Sequence, residues 1–66
     1  MTLEELWEHI NSYPSRMTIY DEDNNTEWTE EDADEMDNVV EEYGDETVRY
    51  WDISCIAGEL RLYVSF

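Results

Sequence analysis

Six oxygen-bearing side chains between residues 21 and 32 follow the spacing of a calcium-binding loop. In the twelve-residue loop of an EF-hand, positions 1, 3, 5, 7, 9 and 12 supply the ligands. Those positions are held here by Asp21, Asp23, Asn25, Glu27, Thr29 and Asp32. Such oxygens suit a hard cation, so a small calcium-binding module is one function that this stretch allows.

Three features of the same stretch count against a dedicated calcium site. Position 6 is Thr26, where the sharp turn of an EF-hand uses glycine, and position 12 is Asp32, which is shorter than the usual bidentate glutamate. The segment before the loop, Arg16–Tyr20, has the alternation of a strand and not of an entering helix. Acids make up 19 of 66 residues, so chance matches are frequent. We therefore predict no metal ligands and no cofactor.

The sequence gives little indication of catalysis, since carboxylates are so numerous that no one pair is informative for general acid–base chemistry. His9 is the only histidine, on a predicted helix, and Cys55 is the only cysteine, in an apolar segment that predicts burial. No predicted neighbour places a base beside the thiol. Gly44 and Gly58 are the only glycines, which excludes a glycine-rich phosphate loop. We predict that the protein is not an enzyme.

Negative charge dominates the composition. Nineteen acids stand against three arginines, lysine is absent, and the net charge is −16. A soluble small domain needs a net charge of only about 2–8 in magnitude, and self-repulsion opposes folding. The same charge repels phosphate, so direct binding of nucleic acid is disfavoured. Three Trp, five Tyr and an apolar C-terminal segment supply a core, and 66 residues predict a single acidic domain, 1–66.

The chain has the features of a cytoplasmic protein. A single cysteine cannot form an internal disulfide, and no stretch approaches the ~20 apolar residues of a membrane helix. The N-terminal segment MTLEELWEHI has acids where a secretory signal carries basic residues. We expect no membrane association.

Local patterns predict two helices and three strands. Thr2 and Glu5 form a capping box for a first helix that ends before Pro14. A strand follows over Arg16–Tyr20, then a polar loop over Asp21–Thr26. The remaining predicted elements are a helix over Thr29–Tyr43, a strand over Glu46–Ile53 and a strand over Glu59–Phe66. The order α-β-α-β-β predicts an α+β fold with a three-stranded, mainly antiparallel sheet and both helices on one face.

Side-chain alternation predicts the two faces of that sheet. Met17, Ile19, Val48, Tyr50 and the even-numbered residues of the last strand would face the helices. The opposite face would carry Arg16, Arg49, Arg61, Tyr20, Trp51 and Tyr63. Stacked arginine and aromatic side chains cover a bare sheet in one interpretation. In the other, this face binds a partner or a second copy in a homodimer.

The second predicted helix concentrates the acids. At 100° per residue, one sector of the helix circumference about 60° wide contains four acids, Glu30, Asp34, Asp37 and Glu41. A neighbouring stripe contains Glu31, Glu35 and Glu42. Like charges at these spacings destabilise a helix, and no lysine offsets them. Eight acids within residues 30–42 give one charge per ~2.4 Å of helix, whereas duplex DNA carries one per ~1.7 Å of axis.

This composition and charge layout resemble those of small acidic DNA-mimic inhibitors from phages and mobile elements. That class includes inhibitors of uracil-DNA glycosylase, anti-restriction proteins and some anti-CRISPR proteins. The resemblance implies an inhibitor that blocks the groove of a basic nucleic-acid-binding protein, such as a host defence nuclease. The candidate contact residues are Glu30, Glu31, Asp34, Asp37, Glu41 and Glu42, followed by Asp21, Asp23 and Glu27.

Other interpretations remain open. An immunity or antitoxin-like protein would neutralise a basic toxin through a specific interface, with Trp and Tyr as hot spots among the acids. A calcium-binding module is a third possibility, and a structural module whose charge serves solubility is a fourth.

Overall fold

The computed structural model describes residues 1–10 and 12–66 and shows two helices packed on a four-stranded sheet. In chain order the elements are α1 (Leu3–Glu8), β1 (Arg16–Asp21), β2 (Thr26–Glu30), α2 (Ala33–Tyr43), β3 (Tyr50–Ile56) and β4 (Glu59–Ser65). The sheet order is β2-β1-β4-β3. No helix in these two ranges has the length and apolar character needed to cross a membrane.

The first helix begins as the sequence predicts. The Glu5 N–H donates to the Thr2 hydroxyl at 3.2 Å, and the Thr2 N–H donates to the Glu5 carboxylate at 2.9 Å. These two bonds form a capping box. The bond from Thr2 lowers the pKa of Glu5. Helix α1 ends at Glu8, with His9 as its C-cap, and buries Leu3 and Leu6.

The prediction of a helix from Thr29 is wrong over its first turn. Thr26–Glu30 forms strand β2, which pairs antiparallel with β1 and places Trp28 opposite Ile19. Two β-branched threonines and alternation about the half-buried Trp28 favour the strand. The helix begins only at Ala33, where the Asp32 carboxylate accepts the Asp34 N–H at 3.1 Å.

The sheet is mixed, which corrects the predicted three-stranded, mainly antiparallel arrangement. β1 pairs with β2 antiparallel and with β4 parallel. The crossover needed for the parallel pair contains β2, α2 and β3. β4 pairs antiparallel with β3 through the turn at Ala57–Gly58, where both residues have positive φ. Alternation within single strands cannot reveal this pairing order.

Strand β3, which precedes this turn, is displaced from its predicted position. It spans Tyr50–Ile56 and not Glu46–Ile53. Trp51 lies opposite Val64 in the register, so Trp51 is on the helix side of the sheet and Tyr50 is on the outer side. Both predicted orientations are therefore wrong. Val48 precedes the strand but still packs against the core.

Both helices contribute to one hydrophobic core on one face of the sheet, as predicted. Side chains of α1 and α2 cluster with inward residues of β1 and β4 and with the C-terminal residue. The buried members are Leu3, Leu6, Met17, Ile19, Met36, Val39, Leu62, Val64 and Phe66. In β4 the predicted alternation is confirmed over residues 61–64, where Leu62 and Val64 are buried while Arg61 and Tyr63 are half-buried. At the two ends of the strand it is not, because Leu60 is only half-buried and Ser65 is buried.

Candidate functional site

The outer side of α2 is an acidic surface. Met36 and Val39 bury one side of this eleven-residue helix, and five acids on the other side are exposed. They are Asp34, Glu35, Asp37, Glu41 and Glu42, which we call the α2 acidic surface. The first two lie in the first turn, where negative charge interacts favourably with the helix dipole.

No arginine compensates the α2 acidic surface. Arg16 pairs with Glu31 at 3.1 Å. Arg49 pairs with Glu22 at 3.5 Å and with Asp23 at 3.3 Å, and Arg61 pairs with Glu59 at 3.4 Å. All three arginines of the chain are thus directed to acids in loops, turns and strands. Within residues 1–10 and 12–66, none of the ion pairs includes an acid of α2.

One acid of this surface has a neutral hydrogen-bond donor. The Tyr13 hydroxyl donates to both carboxylate oxygens of Asp37, at 2.9 and 2.8 Å. This bond raises the pKa of Tyr13, because the phenol proton is held by the carboxylate. Asp37 therefore fixes the segment before β1 against α2.

The predicted candidates do not all lie on one helix face. Asp34, Asp37, Glu41 and Glu42 lie on α2, whereas Glu30 ends β2 and Glu31 lies between β2 and α2. Glu30 is half-buried and pairs in register with Met17. Five acids over the eleven residues of α2 give one charge per ~3.3 Å, so the predicted density of one per ~2.4 Å is too high.

The second group of candidates belongs to the β1–β2 hairpin. The Asp21 carboxylate accepts the N–H groups of Asp23 and Asn24, at 3.1 and 3.3 Å, and so stabilises the turn. Asp23 pairs with Arg49. Glu27 lies opposite Tyr20 on the outer face of the sheet, away from the helices. The structure therefore does not join these three acids to the α2 acidic surface.

The hairpin also departs from the architecture of an EF-hand. Residues 27 and 29, which would be the fourth and fifth ligand positions, lie in strand β2 and not in a loop. Asn25 adopts φ 51° and its side chain accepts the Tyr20 hydroxyl at 2.8 Å. Over the described ranges, no group of three His, Cys, Asp or Glu side chains is placed to hold a metal ion.

The predicted arginine–aromatic face forms in part. Arg16 pairs in register with Arg61, and Thr18 with Tyr63, so these side chains share the outer face with Tyr20. Burial raises the pKa of Tyr63. Trp51 is on the opposite face, and Arg49 precedes β3. A homodimer through this face remains a prediction.

Strand β3 is more exposed than the sequence predicts. Tyr50, Trp51, Ile53 and Ile56 are all exposed. Cys55 is also exposed, so its predicted burial is wrong. His9 is exposed and is the C-cap of α1. The segment YWDISCI has apolar residues at both odd and even positions, a pattern that could have indicated an incompletely covered strand.

Comparisons with protein-family models, with curated proteins and with solved structures find no match to this chain.

Proposed function

We propose that this protein is an inhibitor that occupies the phosphate-binding groove of a nucleic-acid-binding enzyme, with α2 in place of the nucleic acid. The observation that carries the proposal is the uncompensated α2 acidic surface. Five exposed acids share one side of one helix, while the chain's arginines pair with acids elsewhere. A host defence nuclease is the kind of target that we favour.

The mechanism is steric and electrostatic. A basic groove attracts a negatively charged surface, so α2 would associate fast with it and block the path of the phosphate backbone. The eleven-residue helix is ~16 Å long at 1.5 Å per residue, about half of one turn of B-DNA. The target site would therefore be a short groove. Binding would weaken as salt screens the charges.

The binding energy would be shared among several carboxylates. All five acids of α2 are exposed, and an exposed charge contributes little by itself. Replacing one of them by its amide should change affinity slightly, whereas replacing four together should weaken it strongly. Asp37 is an exception, because its carboxylate also accepts the Tyr13 hydroxyl.

The test is capture of the target from a bacterial lysate, with duplex DNA as the competitor at constant ionic strength. The test variant D34N/E35Q/E41Q/E42Q removes four charges from α2 and leaves Asp37, which also accepts the Tyr13 hydroxyl, in place. Its matched control, E8Q/E46Q/D52N/E59Q, removes four charges from exposed positions outside α2. Each variant has a net charge of −12, compared with −16 in the parent chain.

The proposal requires a captured nucleic-acid enzyme that DNA displaces, that the control variant still binds and that the α2 variant has lost. If both variants bind equally, α2 is not the contact surface, and the proposal fails.

A second candidate is an immunity-type protein that neutralises a basic toxin without imitating DNA. The observation that favours it is the charge spacing on α2, which at ~3.3 Å per charge is about half as dense as the ~1.7 Å of duplex DNA. A captured partner that duplex DNA cannot displace would select this candidate.

A further inference from the structure

The two edges of the sheet differ in their protection against pairing. Edge strand β2 is five residues long and carries Glu27 and Glu30. Edge strand β3 is seven residues long, with the sequence YWDISCI and Asp52 as its only charge. Proteins commonly protect edges with charges, proline, bulges or short strands. β2 has two of these features, whereas β3 has one central acid in an otherwise uncharged strand.

The backbone of β3 is available at this edge. Ile56 pairs with Glu59 across the two-residue turn, and such a closing pair is hydrogen-bonded. The bonding of β4 to β1 agrees with this. The Phe66 N–H donates to the Tyr20 carbonyl of β1, so the residues of β4 that alternate with Phe66 direct their N–H and C=O groups to β3. Alternate residues of β3 therefore bond to β4. The residues whose N–H and C=O groups point outward are Trp51, Ile53 and Cys55.

The side chains of β3 are also incompletely covered. Trp51 and Ile53, on the helix side of the sheet, are 44% and 40% exposed. Tyr50 and Ile56, on the other side, are 58% and 50% exposed. A pairing strand would extend the sheet and give these side chains neighbours on both faces.

We propose that β3 pairs antiparallel with β3 of a second copy, centred on Ile53, to form a continuous eight-stranded sheet. In this register Ile53 faces Ile53 and Trp51 faces Cys55, so the three outward-pointing residues of each strand bond to one another. The sequence of β3 is self-complementary in this register, since it opposes no two like charges. Asp52 faces Ser54, and no two acids of the paired strands lie directly opposite each other.

The neighbouring registers are poorer. A shift of two residues in one direction places Asp52 opposite Asp52, which is a destabilising like-charge pair. The same shift in the other direction leaves Tyr50 and Trp51 outside the ladder. A shift of one residue would place each residue with outward-pointing N–H and C=O groups opposite a residue whose groups point towards β4, so the two strands could not bond. The centred register alone uses all seven residues of β3.

Two copies of charge −16 also repel each other. Salt screens this long-range repulsion but leaves the backbone bonds and apolar contacts of the ladder in place. The dimer should therefore strengthen as salt increases, the opposite of the salt response expected for α2 in a basic groove. The inference uses β3 only and does not depend on the proposed function.

Light scattering after size-exclusion chromatography tests the dimer. Between 0.05 and 0.5 M NaCl, at about 0.5 mM protein, the mass should rise from near 8.0 kDa towards twice that value. I53E should remain monomeric, whereas T29E, which adds the same charge to the other edge strand, should dimerise like the parent. Circular dichroism establishes that both variants are folded. A parent chain that stays at 8.0 kDa in high salt overturns the proposal.

Disulfide trapping tests the register independently. In a hydrogen-bonded pair the Cα atoms are about 5.5 Å apart, which suits a disulfide. Under oxidised glutathione, W51C should therefore form a covalent dimer through Cys55 of the second copy. Positions 51 and 55 of one strand are about 13 Å apart and cannot be bridged within a chain. W51C/C55S, which lacks the facing thiol, should form at least tenfold less covalent dimer. Equal trapping in the two variants would contradict the centred register.

Discussion

The Tyr13 hydroxyl donates to both carboxylate oxygens of Asp37, across 24 residues of sequence, at 2.9 and 2.8 Å. Asp37 is therefore both a member of the α2 acidic surface and an anchor for the segment before β1. Loss of binding in an Asp37 variant would not by itself distinguish these two roles. Tyr13→Phe separates them, because it removes the hydrogen bond and leaves the carboxylate in place.

Tyr13→Phe should lower stability only while Tyr13 is protonated. The bond to Asp37 raises the pKa of Tyr13 above its usual value of 10.0. The stabilising contribution is therefore fully present below pH 10 and is lost as pH rises through the raised pKa. Urea unfolding should separate Y13F from the parent at pH 8, and the difference should vanish at strongly alkaline pH.

Tyr50→Phe is the control for this experiment, because Tyr50 is exposed and has no hydroxyl hydrogen bond to a carboxylate in the described part of the chain. Y50F should leave stability at pH 8 unchanged. A Y13F variant as stable as Y50F at that pH would show that the bond to Asp37 contributes nothing.

Two isoleucines on the same side of the sheet should respond very differently to truncation. Ile19 is fully buried, whereas Ile53 is 40% exposed. Ile19→Ala should lower the free energy of unfolding by about 2–5 kcal/mol through lost burial and a cavity. A free energy of unfolding of about 0.05–0.15 kcal/mol per residue gives a total of roughly 3–10 kcal/mol for 66 residues. Ile19→Ala should therefore remove a large part of the stability of the fold.

Ile53→Ala should lower the free energy of unfolding by only about 1 kcal/mol or less. Urea titration of both variants at low salt and low protein concentration provides the comparison. Equal losses would mean that the edge strand is buried as deeply as the centre of the sheet.

The β3–β4 turn offers a stabilising substitution. Ala57 adopts φ 54° and is followed by Gly58 at φ 80°. Asparagine tolerates this left-handed conformation better than alanine, and Asn-Gly is a favoured pair for such a turn. Ala57→Asn should raise the free energy of unfolding by about 0.5–1 kcal/mol, part of the ~1–2 kcal/mol that the left-handed conformation costs an ordinary residue. Thermal unfolding checks this prediction, and Ala57→Val, with a β-branched side chain, should lower stability.

Salt should stabilise the fold. At a net charge of −16, screening of the repulsion among acids should outweigh the weakening of the exposed ion pairs of the three arginines. Raising NaCl from 0.05 to 0.5 M should therefore increase Tm. At protein concentrations too low for dimerisation, a Tm independent of salt would show that the acids are better compensated than their number indicates.

The features that are predicted correctly from the sequence are those with a local signal. The capping box of Thr2 and Glu5 fixes the start of α1, and the two-residue period of residues 59–66 fixes the buried side of β4. Each of these features depends on residues within a few positions of one another, so periodicity and capping are sufficient to predict it.

Features that depend on pairing partners were mispredicted. Residues 29–32 carry an acidic run suited to the first turn of a helix, but Trp28 packs with Tyr43, which itself stacks on Phe66. That tertiary cluster favours β2 over another helical turn. β3 has no clear alternation, so neither its bounds nor its faces could be read from the sequence. The parallel pairing of β1 with β4 joins distant segments and leaves no local signal.

In the proposed role, the α2 acidic surface occupies a groove that otherwise holds nucleic acid. Displacement of the captured target by duplex DNA at constant ionic strength tests this, with D34N/E35Q/E41Q/E42Q and E8Q/E46Q/D52N/E59Q in parallel. We predict that DNA releases the target, that the first variant no longer captures it and that the second still does. A target that resists excess DNA, or that binds both variants equally, would contradict the claim.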